Sequence, residues 1–333
     1  MIESREFRLV SRPVGMPSAE NYRLATVEVG APGAGEVQVR NHWMSLDPAM
    51  RGRMYDRKSY VPPFELDKAM EGGAVGEVMA SNHDGFAVGD AVYSRFGWRE
   101  VFNAPADAIE KIEPSGLPSR AYLGIAGMPG LTAYVGLIRI AALKPDDVVF
   151  VSSAAGAVGS IACQIAKLKG HKVIGSAGGE AKLSFLKNDL GLDEAIDYKN
   201  VPSLAKALKS AAPEGIDVYF DNVGGEHLEA AISVANRSAR FALCGMISTY
   251  NATGPVPGPH NIMLAMPKCL RLEGFIARFH LDLMAEYRAQ LAAWHAAGRL
   301  KWKETVFDGL ESAPDALMAL FEGRNLGKML VKL

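Results

Sequence analysis

Cysteine is scarce. Cys163, Cys244 and Cys269 are the only three in 333 residues, and they stand far apart. They form neither a disulfide framework nor a C-x-x-C metal or redox pair. Neither charge is in excess: 36 Lys and Arg face 37 Asp and Glu, for a net charge of −1. That balance gives no electrostatic footprint for nucleic acid, and no run of like charge marks a tail. No apolar run is long enough to cross a bilayer. The first residues, Met1-Ile-Glu-Ser-Arg-Glu6, lack the basic-then-apolar order of a secretory signal. Repeats and low-complexity segments are missing too. These absences predict a chain with no nucleic-acid and no membrane partner, at home in a reducing cytoplasm.

Hydrophobic residues make up 49% and charged residues 22%. With 333 residues that suffices for two domains with buried cores. The most informative stretch is 148–159. Val148-Val-Phe-Val151 reads as a buried parallel strand, and Val158, Ile161, Ala162, Ile165 and Ala166 recur at helical spacing up to a stop at Gly170. Between them lies Ala154-x-Gly156-x-x-Gly159. A glycine-rich turn from strand to helix lets backbone N–H groups approach a pyrophosphate at a helix N-terminus. Ala154 replaces the first glycine of the usual fingerprint, but the second strand, Lys172-Val-Ile-Gly175, follows at the distance a βαβ unit requires.

Around this turn the chain divides. Residues 1–125 hold short strands between Gly/Pro turns (Tyr22–Val29, Glu36–Asn41, Ala74–Ala80, Asp90–Ser94), the pattern of a small barrel-like domain. Residues 126–298 alternate helix and strand. Strands are expected at Val148–Ser152, Lys172–Ser176, Glu194–Asp197, Gly215–Phe220 and Ala239–Cys244, with a sixth at Leu270–Ile276. Helices are expected at Thr132–Ala141, Ala157–Lys169, Ala181–Asp189, Ser203–Ala211 and Glu226–Ala235, and an amphipathic one at Leu281–Ala297. This is an α/β, doubly wound parallel arrangement. Residues 299–333 are too few for a domain and are expected to return to the first one.

NAD sites place a carboxylate at the end of the second strand, for the ribose 2′-hydroxyl, whereas NADP sites omit it and supply a cation. Here the strand ends Ser176-Ala-Gly-Gly179, and Lys182 lies in the first turn of the next helix. The reading is NADPH.

Several further segments resemble one family: Ser45-Leu-Asp-Pro-Ala-Met-Arg-Gly-Arg53, Ser59-Tyr-Val-Pro-Pro63, Gly127-Met-Pro-Gly-Leu-Thr-Ala-Tyr134, Gln164-Ile-Ala-Lys-Leu-Lys-Gly170, Asp221-Asn-Val-Gly-Gly225, Cys244-Gly-Met-Ile-Ser-Thr-Tyr-Asn251 and Asn325-Leu-Gly-Lys328. Together they resemble the NADP-dependent alkenal/one reductases, a zinc-free branch of the medium-chain dehydrogenase/reductase superfamily. The resemblance implies a GroES-like, β-rich N-terminal domain, a six-stranded Rossmann domain and a homodimer. Zinc enzymes of the superfamily carry a Cys and a Gly-His-Glu segment where this chain has Met44-Ser-Leu-Asp-Pro48 and Ala69-Met-Glu-Gly72. No metal is expected, and ketone–alcohol chemistry would lack its usual electrophile.

The expected reaction is reduction of the carbon–carbon double bond of an α,β-unsaturated ketone or aldehyde. Hydride adds to the β-carbon, and a hydroxyl stabilises the developing enolate. The resemblance implies that Gly156, Ala157, Val158 and Gly159 face the pyrophosphate. Lys182 and Tyr198 would meet the 2′-phosphate, and Asn222 the nicotinamide ribose. Cys244, Gly245, Met246, Ile247, Ser248, Thr249, Tyr250, Phe275, Ile276 and Ala277 would border the cofactor, and Asn325 would reach it from the C-terminal segment. Tyr250 is the first choice for enolate donor. Tyr60 could line the substrate pocket, as could His260, Met263 and Met266. Asp47 and Arg51 read as a structural ion pair or cap. Pro267 stands where some prostaglandin reductases carry a tyrosine, which aligns the chain with bacterial and plant members. A quinone reductase and a non-enzymatic NADPH-binding protein remain alternatives.

Overall fold

The computed structural model describes residues 1–113 and 116–333. In chain order the first strands are β1 (Ile2–Leu9), β2 (Tyr22–Val29), β3 (Glu36–Ser45), β4 (Ala74–Ser81), β5 (Ala91–Ser94), β6 (Val101–Pro105) and β7 (Ile109–Lys111), with helix α1 (Ala49–Arg53) after β3. Helices α2 (Met128–Val135), α3 (Ala157–Leu168), α4 (Glu180–Ser184), α5 (Leu204–Ala211), α6 (Gly225–Val234) and α7 (Met284–Ala296) follow. They are interleaved with β8 (Val148–Val151), β9 (Lys172–Ala177), β10 (Glu194–Asp197), β11 (Ile216–Asp221), β12 (Ala235–Leu243) and β13 (Arg271–Gly274). Strand β14 (Glu304–Asp308), helix α8 (Ala313–Phe321) and strand β15 (Lys328–Lys332) close the chain. These elements form two units, Met1–Leu123 with Glu304–Leu333, and Gly124–Lys303.

The first unit is built on a sheet of order β14-β15-β3-β4-β5-β7, with β6 also paired to β3. Alternation sets the faces of β3: Val37 and Val39 are fully buried and pack with Val78, Val92 and Phe102. A separate ladder joins β1 to β2. Sequence reasoning expects neither β1 nor the last two strands. In β15, Met329, Leu330 and Val331 are buried, and the strand pairs antiparallel with β3 through Leu330 and Ser45. Helix α8 has Pro314 in its first turn, where no N–H is needed, and turns Ala313, Ala316, Leu317 and Leu320 into a cluster with Phe7, Leu9, Met44 and Trp98.

The second unit is a six-stranded parallel sheet of order β10-β9-β8-β11-β12-β13, the doubly wound order of a dinucleotide-binding fold. Strand β8 lies at its centre, and Val149, Phe150 and Val151 are fully buried. Strand β12 begins at Ala235, four residues before the expected Ala239, because a register shift between Ile216 and Val218 and a left-handed Ser238 admit an early pairing. The expected helix at Thr132–Ala141 instead starts at Met128 and gives way to a π-helical turn at Gly136–Ile140. There Gly136 leaves room for the rings of Phe220 and Phe275. The expected helix from Leu281 starts at Met284, because His280 departs from helical geometry just upstream. It buries only a narrow stripe of Tyr287 and Leu291. Strand β13 is the sheet edge, largely exposed, and Ile262, Met263, Met266, Phe279 and Leu281 are exposed nearby in sequence. Among the described residues no helix is long and apolar enough to cross a membrane.

Candidate functional site

The carboxyl ends of β8 to β13 gather most of the residues singled out by sequence. At the first corner, β8 runs into a turn in which Ser153 adopts φ 48°, a left-handed conformation uncommon for a residue with a β-carbon. The Gly156 N–H donates to the Ser153 carbonyl (2.9 Å), and α3 starts at Ala157. Gly159 has no room for a side chain, because a β-carbon would collide with the Ser153 carbonyl. The missing first glycine of the fingerprint also has an explanation. Ala154 is buried, and a β-carbon on Gly175 of neighbouring β9 would lie 2.8 Å from the Ala154 methyl. Leu192 Cδ2 crowds the same position (2.7 Å), so Gly175 has no room for a side chain and the Ala154 methyl, in the turn after β8, fills the space beside it. Gly156, Ala157 and Val158 stay partly exposed. First-turn N–H groups of a helix have no partner within it, so this turn fits a pyrophosphate.

At the second corner, β9 ends in Ala177-Gly-Gly179, with Gly179 at φ 94°. The Asp197 carboxylate at the end of β10 binds backbone rather than facing outward. Its Oδ2 accepts from the Gly179 N–H (3.3 Å) and Asn200 Nδ2 (2.8 Å), and its Oδ1 from the Lys199 N–H (3.1 Å). Burial alone would raise the Asp197 pKa, but these bonds outweigh it and hold it low. The stem of Lys199 lies across Gly178, where a β-carbon would sit 2.8 Å from its Cε. Lys182 is half-buried. Desolvation, and then repulsion from Lys199, lowers its pKa. Two ammonium groups thus converge on this corner, the charge a 2′-phosphate requires. Tyr198 is exposed beside them, its ring edge-on to His227 at 5.0 Å. Burial pushes the His227 pKa down to about 4.

The third corner lies between β8 and β11, where the strand order reverses and ligands of such sheets bind. Asp221, fully buried, is its hub. Oδ1 accepts from the Tyr219 hydroxyl (2.7 Å), Ser152 Oγ (3.3 Å), Val223 N–H (2.9 Å) and Gly224 N–H (2.8 Å). Its backbone carbonyl accepts from the Cys244 (2.9 Å) and Gly245 (3.0 Å) N–H groups, so one residue joins the ends of three strands. Burial raises the Asp221 pKa against the pull of these donors. Asn222 is held on β8 by its N–H to Ser152 Oγ (2.9 Å) and its Nδ2 to the Ser152 carbonyl (2.7 Å).

The segment Cys244–Tyr250 folds back over this turn. Ile247 N–H donates to the Asn222 carbonyl (3.3 Å), and Ser248 Oγ to the Val223 carbonyl (2.6 Å). Thr249 Oγ1 caps the Met246 carbonyl (2.8 Å). The Tyr250 hydroxyl accepts from the Met246 N–H (3.4 Å), and Gly245 leaves it space, since a β-carbon there would lie 3.0 Å away. Burial of its sulfur and the charge of Asp221 push the Cys244 thiol up to about 12, so it stays protonated at neutral pH. Past β13, Phe275 is buried edge-on to Phe220 (6.2 Å), Ala277 is buried, and Ile276 is partly exposed.

Tyr60 and Asn325 belong to the first unit. Tyr60 is exposed in the loop after α1. Asn325 is buried, and its Nδ2 donates to the Gly327 carbonyl (2.9 Å). Asp47 and Arg51, expected as a structural ion pair or cap, hold different partners. Asp47 accepts from Ser45 Oγ (2.5 Å) and pairs with the buried Lys328 (3.1 Å). Arg51 donates to the carbonyls of Pro13 (3.1 Å) and Gly15 (2.8 Å) and stacks on Tyr55. His260 pairs with Glu229 on α6 (2.8 Å). Met44 and Met70 lie in the core, and Glu71 pairs with Arg53. Among the described residues no group of three or more His, Cys, Asp or Glu side chains is placed to hold a metal ion. Sequence reasoning missed Asp221, Ser152 and Lys199. A carboxylate ending the buried run Val218-Tyr-Phe-Asp221 was the available signal.

Known proteins resemble this chain over nearly its whole length. Residues 5–112 match the N-terminal domain of oxidoreductases, and residues 157–291 match the zinc-binding dehydrogenase domain. The chain is 39% identical to the NADPH-dependent curcumin reductase of Escherichia coli, covering 99% of this chain and 96% of that protein. It is 38% identical to the 2-alkenal reductase (NADP(+)-dependent) of Nicotiana tabacum, covering 99% and 97%. Its fold superimposes on that of CurA from Vibrio vulnificus in complex with NADPH with a TM-score of 0.92, at 42% identity over 98% of each chain.

Proposed function

The chain belongs to the zinc-free medium-chain dehydrogenase/reductase family, in its NADP-dependent alkenal/one reductase branch, and from that premise we propose that it reduces the carbon–carbon double bond of α,β-unsaturated ketones and aldehydes with NADPH. The observation that carries this reading is the relationship, over nearly the whole length, to curcumin and 2-alkenal reductases. The lysine-bearing corner after β9 supports the choice of NADPH.

Bound NADPH supplies the hydride that adds to the substrate β-carbon. The chain's own residues do the rest. The Gly156–Gly159 turn binds the pyrophosphate through backbone N–H groups. Lys182, Lys199 and Tyr198 hold the 2′-phosphate, and Asn222, fixed on Ser152, meets the nicotinamide ribose. Phe275, Ile276, Ala277 and Asn325 border the cofactor. Tyr250 donates a hydrogen bond to the substrate carbonyl oxygen, where enolate charge develops. Tyr60 contacts the substrate. The α-carbon then takes a proton from solvent.

A homodimer fits the exposed edge of β13 and the exposed Met263, Met266 and Phe279, since an open parallel edge with apolar neighbours invites a second copy. Three free cysteines suit the cytoplasm. The test is turnover of NADPH and NADH with enals, enones and quinones, alongside Tyr250→Phe. Saturated carbonyl products formed from NADPH are expected, with kcat in Tyr250→Phe lowered about 100- to 1,000-fold for loss of one oxyanion donor. Absence of enone and enal turnover overturns the function, and wild-type kcat in Tyr250→Phe removes that residue as donor.

A further inference from the structure

Between α1 and β4 the chain makes a loop that leaves and returns at one point, and two arginines hold its neck. Arg53, the last residue of α1, is only 9% exposed. Its Nε donates to the Pro62 carbonyl (2.9 Å), and its Nη2 pairs with Glu71 (2.8 Å). Its guanidinium lies over the Phe64 ring, 4.2 Å from the centroid. The Phe64 N–H donates to the Arg53 carbonyl (2.7 Å). Arg12 holds the same neck, through Nη1 to the Met54 carbonyl (3.1 Å) and Nη2 to the Phe64 carbonyl (3.2 Å). The far end of the loop, Arg57–Tyr60, is exposed.

Glu71 is itself held in place. The Met70 N–H donates to the Phe7 carbonyl (2.8 Å), and Arg99 Nη2 donates to the Met70 carbonyl (2.9 Å). The anchor therefore runs from the body of the unit through Glu71 and Arg53 to Pro62, two residues from Tyr60. For stability alone, an apolar side chain on Phe64 would serve as well as a buried charge. A guanidinium adds direction, because its planar fork binds two acceptors at fixed positions.

We propose that Arg53, oriented by Glu71, is a positioning residue that sets the Ser59–Pro63 segment so that Tyr60 meets the conjugated substrate. Arg53 does not touch the substrate. This rests on the reading that Tyr60 contacts it.

Steady-state kinetics with an aryl enone (4-phenylbut-3-en-2-one) test the proposal in Arg53→Met, Arg53→Lys, Glu71→Gln, Tyr60→Ala and the Arg53→Met/Tyr60→Ala double variant. Arg53→Met should raise KM for the enone about tenfold while kcat and KM for NADPH stay near wild type, the pattern of lost substrate binding. Arg53→Lys should recover part of that loss. Tyr60→Ala should raise the same KM, and the double variant should be no worse than the larger single change, as expected for residues acting through one contact. Multiplying effects in the double variant overturn the proposal. So does an Arg53→Met enzyme with a lowered thermal midpoint and an unchanged enone KM. If Arg53→Met fails to fold, Glu71→Gln, which keeps the bond to Pro62, decides: about a threefold rise in enone KM supports the proposal, and a wild-type value overturns it. A wild-type KM in Tyr60→Ala refutes the reading beneath it and removes the proposal as well, whereas a raised KM there with Arg53→Met unchanged refutes the proposal alone.

Discussion

Replacing Asp221 by alanine should loosen the sheet end on which the nicotinamide side of the cofactor is proposed to rest. The carboxylate serves four donors. Ser152 Oγ keeps other contacts, to the Phe220 carbonyl and the Asn222 N–H. The Tyr219 hydroxyl and the Gly224 N–H are buried and would lose their acceptor. A buried donor left unpaired costs about 1–3 kcal/mol, and removing a carboxylate that burial already strains offsets part of the sum. The expected net loss is about 2–4 kcal/mol, read as a lower urea midpoint by circular dichroism and intrinsic fluorescence. Asp221→Asn should lose less, because its Oδ1 still accepts. NADPH affinity, measured by fluorescence quenching, should fall about tenfold or more in Asp221→Ala, the equivalent of ~1.4 kcal/mol, as the Asn222 turn loses its support. A variant with wild-type urea midpoint and wild-type NADPH affinity would refute the hub.

Three further outcomes follow from the same site. Lys182→Met and Lys199→Met should each weaken binding of 2′,5′-ADP relative to 5′-ADP in titration calorimetry, with a smaller effect at high salt because screening weakens exposed charge pairs; an unchanged ratio in both variants would remove these residues from 2′-phosphate recognition. His227 titrates at about 4 in the fold against 6.5 when free, so the unfolded chain binds the extra proton. Its contribution is complete above pH 6.5 and is lost as pH falls toward 4, a span of about 3 kcal/mol, and urea midpoints at pH 7 and pH 5 should differ less in His227→Phe than in wild type. Ser153→Gly relieves a left-handed serine, and a rise in thermal midpoint corresponding to at most ~1 kcal/mol is expected, a fall being the contrary result.

Much of the second unit was legible because its signals are local. The run Val148–Val151, the glycine turn and the helical spacing after it each lie within a dozen residues, and together they specify a strand, a corner and a helix. The cofactor choice was legible for the same reason, since the strand end and Lys182 are neighbours in sequence. What escaped depends on partners far along the chain. Strand β15 is five residues, and its pairing with β14 on one side and with β3, nearly three hundred positions away, on the other makes it a strand. Asp221 looks like an ordinary strand-end acid until Tyr219, Ser152 and Gly224 point at it. Lys199 gains its place from Gly178, and Arg53 from Pro62 and Glu71, pairings that no spacing rule supplies. The helix starting at Met284 rather than Leu281 was missed because periodicity is blind to the irregular turn at His280.

The methyl of Ala154 seated against Gly175 has a practical consequence for anyone recombining this corner with that of another enzyme. Restoring glycine at 154 alone would leave a methyl-sized void between the turn after β8 and strand β9, and placing alanine at 175 alone would drive its methyl into Ala154 and Leu192. A chimera that exchanges the turn must carry the facing residue of the next strand with it. The portable module therefore runs from β8 through the turn and β9 to Leu192, and crossover points for domain shuffling belong after Leu192 rather than after Gly159.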